Sequence, residues 1–347
     1  MNINRRLFLF GGTAITAVVV GNLTPPTLAQ TRNINLYSSR HYDTDDELYN
    51  AFKAQTGLGV NLIEAEADQL IERVKSEGAN SPADVLITVD AGRLWVAERE
   101  GLLAPVDSAF LKQQIPANRR HPDGLWFGFS QRARVIFYNR DRVNPADLST
   151  YEDLATPKWA GKILVRSSSN VYNQSLVAGL IAIHGVAKTR QWLRGFVSNF
   201  ARSPEGNDTA QIRACAAGAG DIAIANSYYY ARLAKSNDPV DREVVEKVGI
   251  FFPNQRDRGT HMNISGGGVF KTAPNPDAAI KFLEHLAGSL SQIYFAQGNN
   301  EYPVVPGTPI DPVVAGFGTF KQDDLNVAEY GKNQAEAVRL MDQARWI

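Results

Sequence analysis

The sequence predicts an α/β protein built as two lobes, and three observations carry that expectation. Short apolar runs alternate with amphipathic helical segments through the first hundred residues, the rhythm of a parallel sheet with helices on its faces. A second set of such runs begins after Pro145 and the polar segment to Asp153, and the chain then returns through further strands and helices. At 347 residues it is long enough for two lobes with separate cores.

In chain order, residues 34–37 read as a strand ending at Ser38-Ser39, followed by the polar loop Arg40-His41-Tyr42-Asp43. Thr44-Asp45-Asp46-Glu47 reads as a capping box. It opens a helix with Leu48, Ala51 and Phe52 as its apolar face, and Gly57 is placed to end it. Strand 60–63, helix 68–77, strand 84–89 and helix 94–100 continue the alternation. Two β-rich runs, 126–129 and 133–138, predict a crossing between lobes near 128–140. Beyond it, 163–165 reads as a buried strand, and 174–184 and 192–196 as helices. Ser167-Ser168-Ser169 either caps the first of these helices or offers an anion site at its N-terminus. Helix 210–217 precedes strand 221–225, whose small and β-branched residues mark it as buried. Strand 248–252 follows, then a segment at 264–270. Its Gly266-Gly267-Gly268 implies close backbone approach or a flexible crossing. Helices at 276–286, 289–298 and 326–343 complete the chain.

Composition excludes several functions. With 36 basic and 36 acidic residues the net charge is zero, which argues against nucleic-acid binding. A single cysteine, Cys215, rules out an internal disulfide framework and a cysteine-rich metal site. The first 29 residues read as an address rather than structure. Arg5-Arg6 precedes apolar residues in the manner of a twin-arginine export signal, and 14–20 is a short apolar stretch. Thr27-Leu28-Ala29 offers small residues for cleavage after Ala29; the other reading is an uncleaved membrane anchor.

The stretch 225–230 concentrates the chemistry. Tyr228-Tyr229-Tyr230 follows the strand 221–225, and the carboxyl ends of strands are where open α/β sheets bind ligands. Phenolates are hard donors suited to hard cations, above all ferric iron; the alternative is plain aromatic packing with hydroxyls at the surface. His41 and Tyr42 lie at another strand-to-helix crossing, where they are either ligands or simply solvated. Ionising a phenol at neutral pH costs about 4 kcal/mol, so several phenolates need a strongly polarising cation. No Asp/Glu-rich cluster suits calcium. Four phenolates on Fe³⁺ would leave a charge of −1 for an arginine to compensate.

Several stretches together resemble the ferric-iron-binding proteins of bacterial ABC importers, most of all the cyanobacterial Fut-type members. They are Arg40-His41-Tyr42, Pro82-Ala83-Asp84-Val85-Leu86, the segment 157–163, Asn226-Ser227-Tyr228-Tyr229 and Gly266-Gly267-Gly268-Val269. The resemblance spans about 31–347, and the Tyr228-Tyr229 pair is its most specific motif. It implies a periplasmic-binding-protein type II fold: two α/β lobes with a metal cleft at a two-segment hinge. The implied lobes are 30–128 plus 262–300 and 129–261 plus 301–347. The implied iron ligands are Tyr42, Tyr172, Tyr228 and Tyr229, with His41 as a variable fifth, Arg132 and Arg232 as positive residues around them, and Tyr230 outside. The implied function is a monomeric periplasmic carrier that captures Fe³⁺ and delivers it to an ABC permease of the inner membrane, with no enzymatic role. Two alternatives stand beside it. One is a same-fold carrier of another small solute, whether anion, polyamine or thiamine-like. The other is a tyrosinate-iron dioxygenase, which would need an open coordination position and typically two histidines; of the five here only His41 lies in a candidate loop.

Overall fold

The computed structural model describes residues 33–40 and 42–347. The export-signal expectation for 1–29 and the assignment of His41 lie outside the described residues.

The elements run β1 (Ile34–Ser38), α1 (Asp46–Thr56), β2 (Val60–Glu64), α2 (Ala67–Glu77), β3 (Val85–Thr88), α3 (Ala91–Arg99), β4 (Leu103–Ala104), α4 (Ala109–Gln114) and β5 (Phe127–Asn139). The second stretch holds β6 (Ile163–Leu164), α5 (Val171–Ser198), α6 (Asp208–Ala216), β7 (Ile222–Asn226), α7 (Ser227–Ala234), α8 (Pro239–Lys247) and β8 (Val248–Phe251). The chain returns through β9 (Met262–Phe270), α9 (Pro276–Ala287), α10 (Ser289–Asn299), β10 (Tyr302–Pro303), α11 (Pro312–Ala315), α12 (Ala328–Lys332) and α13 (Gln334–Gln343).

The sheet is mixed rather than wholly parallel. Its order is β2-β1-β3-β9-β5-β7-β6, with β4 on β9 and both β8 and β10 on β5. The pairs β1–β2, β1–β3 and β6–β7 are parallel, as the βα alternation predicts. β5 and β9 run antiparallel to all their neighbours, which makes the middle of the sheet antiparallel between parallel flanks.

The two β-rich runs at 126–129 and 133–138 are one strand of 13 residues, buried throughout. Its first half pairs with β9 and its second half with β7 and β8, so a single strand serves two sets of partners. The glycines of β9 settle their open question in favour of close approach. A Cβ at Gly266, Gly267 or Gly268 would overlap the carbonyl oxygens of Phe127, Leu86 and Leu125 respectively. Glycine here lets β9 lie between β3 and β5, in a continuous strand rather than a flexible crossing.

Smaller differences have local causes. The capping box at 44–47 does not form: Asp43–Asp45 makes a 3-10 turn, and Thr44 hydrogen-bonds to Asn299 instead. The helices expected at 174–184 and 192–196 are parts of one long segment, kinked at Gly185 (φ 77°). The helix expected at 326–343 is two helices, α12 and α13, meeting at Asn333.

Candidate metal centre

Local folding brings the tyrosines forward. β7 is fully buried and ends at Asn226, and α7 starts at once, placing Tyr228 and Tyr229 in its first turn. Their ring centroids stand 4.2 Å apart. Tyr230 turns the other way. Its hydroxyl donates to the carbonyls of Val245 and Val248, at 3.0 and 2.7 Å, and its ring packs on Phe137 and Phe317. Tyr172 lies in the first turn of α5 rather than before it. Tyr42 lies between β1 and α1.

These four side chains, Tyr42, Tyr172, Tyr228 and Tyr229, converge. Burial pushes the Tyr228 phenol well above its usual pKa, and Tyr172, Tyr42 and Tyr229 add to that by their proximity. Burial likewise raises Tyr172, where the Arg132 guanidinium pulls against it and Tyr42 and Tyr229 reinforce it. Tyr229 is raised by burial first, then by Asp208. Such phenols stay protonated at neutral pH unless a cation replaces their protons.

Positive charge surrounds the cluster. Arg232, one turn after Tyr228, lies 5.1 Å from the ring centres of both Tyr42 and Tyr228 and 5.8 Å from that of Tyr229. Arg132 on β5 stands 5.6 Å from the Tyr172 ring. Both arginines thus lie against rings of the tyrosine cluster. Among the described residues no group of three or more His, Cys, Asp or Glu side chains is able to hold a metal ion. Phenol oxygens are the hard donors that remain in number.

Several positioning residues escaped the sequence reading. Arg134, two residues from Arg132 on the same strand, donates to Asp208 (2.8 Å) and Asn226 (3.1 Å) through Nη1, and to Asn173 (2.7 Å) through Nη2. It thus ties the residue after Tyr172 to the end of the strand that precedes Tyr228. Asp208 also accepts the backbone N–H of Asn226 at 2.9 Å. Arg40, beside the first loop, is buried with Asp45 and Glu301, and its guanidinium stands 4.6 Å from the Tyr42 ring centre. A signal existed in Arg132 and Arg134, two cations inside an apolar strand run. Nothing comparable marked Glu301. The serines at 167–169 do not cap α5; Ser169 donates to Ser167 Oγ, while Asn173 and Gln174 bond the carbonyls of that loop.

A mixed α/β chain with ligand-capable side chains at the ends of its strands has the build of a binding protein, and comparison with known proteins gives the class. Residues 47–316 match the family described as bacterial extracellular solute-binding protein. The chain belongs to that family. It is 66% identical over 346 residues to iron uptake protein A2 of Synechocystis sp. (strain ATCC 27184 / PCC 6803 / Kazusa), covering 99% of both chains. Its fold is similar to that of Trichodesmium FutA (IdiA) in complex with iron and citrate ligands, with a TM-score of 0.88 at 63% identity, covering 91% of this chain and 100% of that one. Apo FutA2 from Synechocystis PCC6803 also superimposes with a TM-score of 0.88, at 66% identity, covering 92% of this chain and 100% of that one. The fold is thus the type II periplasmic-binding-protein fold expected from the resemblance.

Proposed function

We propose that this protein is an extracytoplasmic carrier of ferric iron, held by the phenolates of Tyr42, Tyr172, Tyr228 and Tyr229. The observation that carries the reading is the convergence of four buried or half-buried phenols with arginines as their charged neighbours. Four phenolates on Fe³⁺ sum to −1, and Arg132 and Arg232 stand where they offset that charge. His41, next to Tyr42, is the fifth donor in this reading. The named relatives support iron as the cargo.

In the same reading the lobes are 30–128 plus 262–300 and 129–261 plus 301–347, with β5 and β9 as the two crossing segments and the metal held in the cleft between them. The divided partners of β5 support this division. The protein works as a periplasmic monomer, exported by a twin-arginine signal at 1–29, and hands iron to an ABC permease of the inner membrane. It is a carrier and not an enzyme, consistent with the solute-binding family.

Titration of metal-free protein with a ferric chelate tests the reading. A visible phenolate-to-iron charge-transfer band, saturating at one iron per chain, is the expected result. Protein that stays colourless with bound iron would overturn it.

A further inference from the structure

Glu301 follows α10 with its side chain wholly enclosed. Its Oε2 accepts from Nη1 and Nη2 of Arg40, each at 3.3 Å. Its Oε1 stands 3.9 Å from Arg132 Nη1 and has no hydrogen-bond partner. The two arginines also share one hydroxyl: Ser265 Oγ, on β9, accepts from Arg40 at 2.6 Å and from Arg132 at 3.1 Å. Arg40 has a second acid in Asp45, bonded through Nε at 2.7 Å and Nη2 at 3.2 Å. Arg132 has no such bonded acid among the described residues. The field of Asp90 reaches it, but the Asp90 carboxylate is taken by Ser175, Asn263 and the Gly92 N–H. On the other side the guanidiniums face phenols, Arg40 that of Tyr42 and Arg132 that of Tyr172.

A buried carboxylate oxygen without a donor is costly, so Glu301 is not placed for stability alone. We infer that Glu301 is a positioning residue of the tyrosine site: by dividing its charge between Arg40 and Arg132, it sets where the two guanidiniums stand and how much positive charge Arg132 presents to the phenols. The inference rests on the ferric-iron reading above. Loading takes the tyrosine cluster from neutral to −1, so uncompensated charge on Arg132 favours the loaded form. Glu301 opposes that, and in the metal-free form it spares Arg132 from being a buried charge without a partner. Its effect is to moderate the hold on iron so that the cargo can leave.

Glu301→Gln removes the charge and keeps the shape. Three results are expected: a lower melting temperature without metal, a larger rise in melting temperature on adding ferric iron than in the parent protein, and half-release of iron at a lower pH, by up to about one unit for a tenfold tighter hold on the metal. A residue that merely props the site would do the reverse, with a smaller iron-induced rise and release at higher pH, and that outcome overturns the inference. Should Glu301→Gln not fold, Glu301→Asp, with its shorter reach, is expected to move release in the same direction by less; an unchanged or raised release pH overturns the inference equally. Failure of the underlying reading looks different. The parent protein itself would then lack the charge-transfer band with iron, and the role of Glu301 would fall with it.

Discussion

Tyr228 and Tyr229 sit ring to ring, with centroids 4.2 Å apart and planes inclined by 31°, although consecutive residues of a helix point about 100° apart. The contact is possible because the pair opens α7, where the chain turns out of β7, and no preceding helical turn constrains the rings. One residue further on, Tyr230 is committed to the opposite side by its bonds to Val245 and Val248.

The tyrosines are therefore expected to separate by substitution. Tyr228→Phe, Tyr229→Phe and Tyr172→Phe should each weaken ferric binding strongly and shift the visible band, since each removes a phenolate from the shell. Tyr42→Phe should do so less, His41 being adjacent. Tyr230→Phe should leave band and affinity nearly unchanged while costing about 1 kcal/mol of stability for its lost hydrogen bonds. Absorption spectra and competition with a chelator measure the first effects, and urea unfolding the last. A bleached Tyr230→Phe beside an intact Tyr229→Phe would refute the assignment.

Propensity alone made the surroundings of Tyr228, Tyr229 and Tyr42 legible, whereas Tyr172 follows only from the resemblance. A buried β-branched run ends before Tyr228, and a strand followed by a polar loop brackets Tyr42. The ring of charge behind them was only half legible. Arg132 and Arg232 were anticipated from the resemblance, whereas Arg40, Arg134 and Glu301 are charges in loops and strands whose partners lie far along the chain, such as Arg40 with Ser265 and Glu301. Periodicity cannot report pairings of that kind. The same limit applies to β5: two apolar runs were visible, but the strand that unites them depends on β9, β7 and β8 arriving at its edges.

Iron binding should release more than one proton. Burial and mutual proximity raise the Tyr172 and Tyr228 phenols, so both are protonated in the metal-free protein at neutral pH. Each phenolate formed on the metal displaces a proton, and affinity falls by up to about tenfold per pH unit for each proton displaced. Titrations between about pH 8 and about pH 5 measure the slope. A pH-independent affinity would mean that the tyrosines are not ligands.

Closure about the crossing strands is expected on loading, because β5 is the one strand among the described residues that pairs with both β9 and β7. Solution scattering with and without iron reads this directly as a fall in the radius of gyration. An identical radius in both states would count against a hinge there.

Gly267→Ala should destabilise the fold by about 2 kcal/mol or more, because the added methyl meets the Leu86 carbonyl, which its ladder bonds hold in place. Gly57→Ala is a useful contrast. It has open space around it but a left-handed φ of 73°, so its cost is backbone strain alone, about 1 kcal/mol. Thermal or urea unfolding ranks the two, and equal costs would show that β9 is less tightly enclosed than its packing implies.

Acid should weaken the fold well before the carboxylates protonate, and His261 is the main reason. Its ring is buried against Tyr330 at 4.5 Å, with Nε2 unpartnered. Burial, helped by the field of Arg134, holds its pKa down to about 3. A base whose folded pKa lies below its unfolded value of 6.5 stabilises the protein fully above 6.5. That contribution drains away as pH falls toward about 3, because the unfolded chain takes up a proton that the native state refuses. The slope is about 1.4 kcal/mol per pH unit for one such group. His285, also lowered by burial, adds in the same direction. Glu152 acts in a lower window. Burial alone would raise it, but Arg258, Asn254 and His184 outweigh that and hold it at about 2, so its contribution is lost only as pH drops from 4.5 toward 2. Urea midpoints of the metal-free protein between about pH 7 and about pH 5 should therefore fall steadily in the parent. They should fall less in His261→Asn, which cannot titrate, even though that variant starts from a lower stability. Parallel slopes in the two proteins would show that His261 accepts a proton in the native state and does not supply the acid sensitivity.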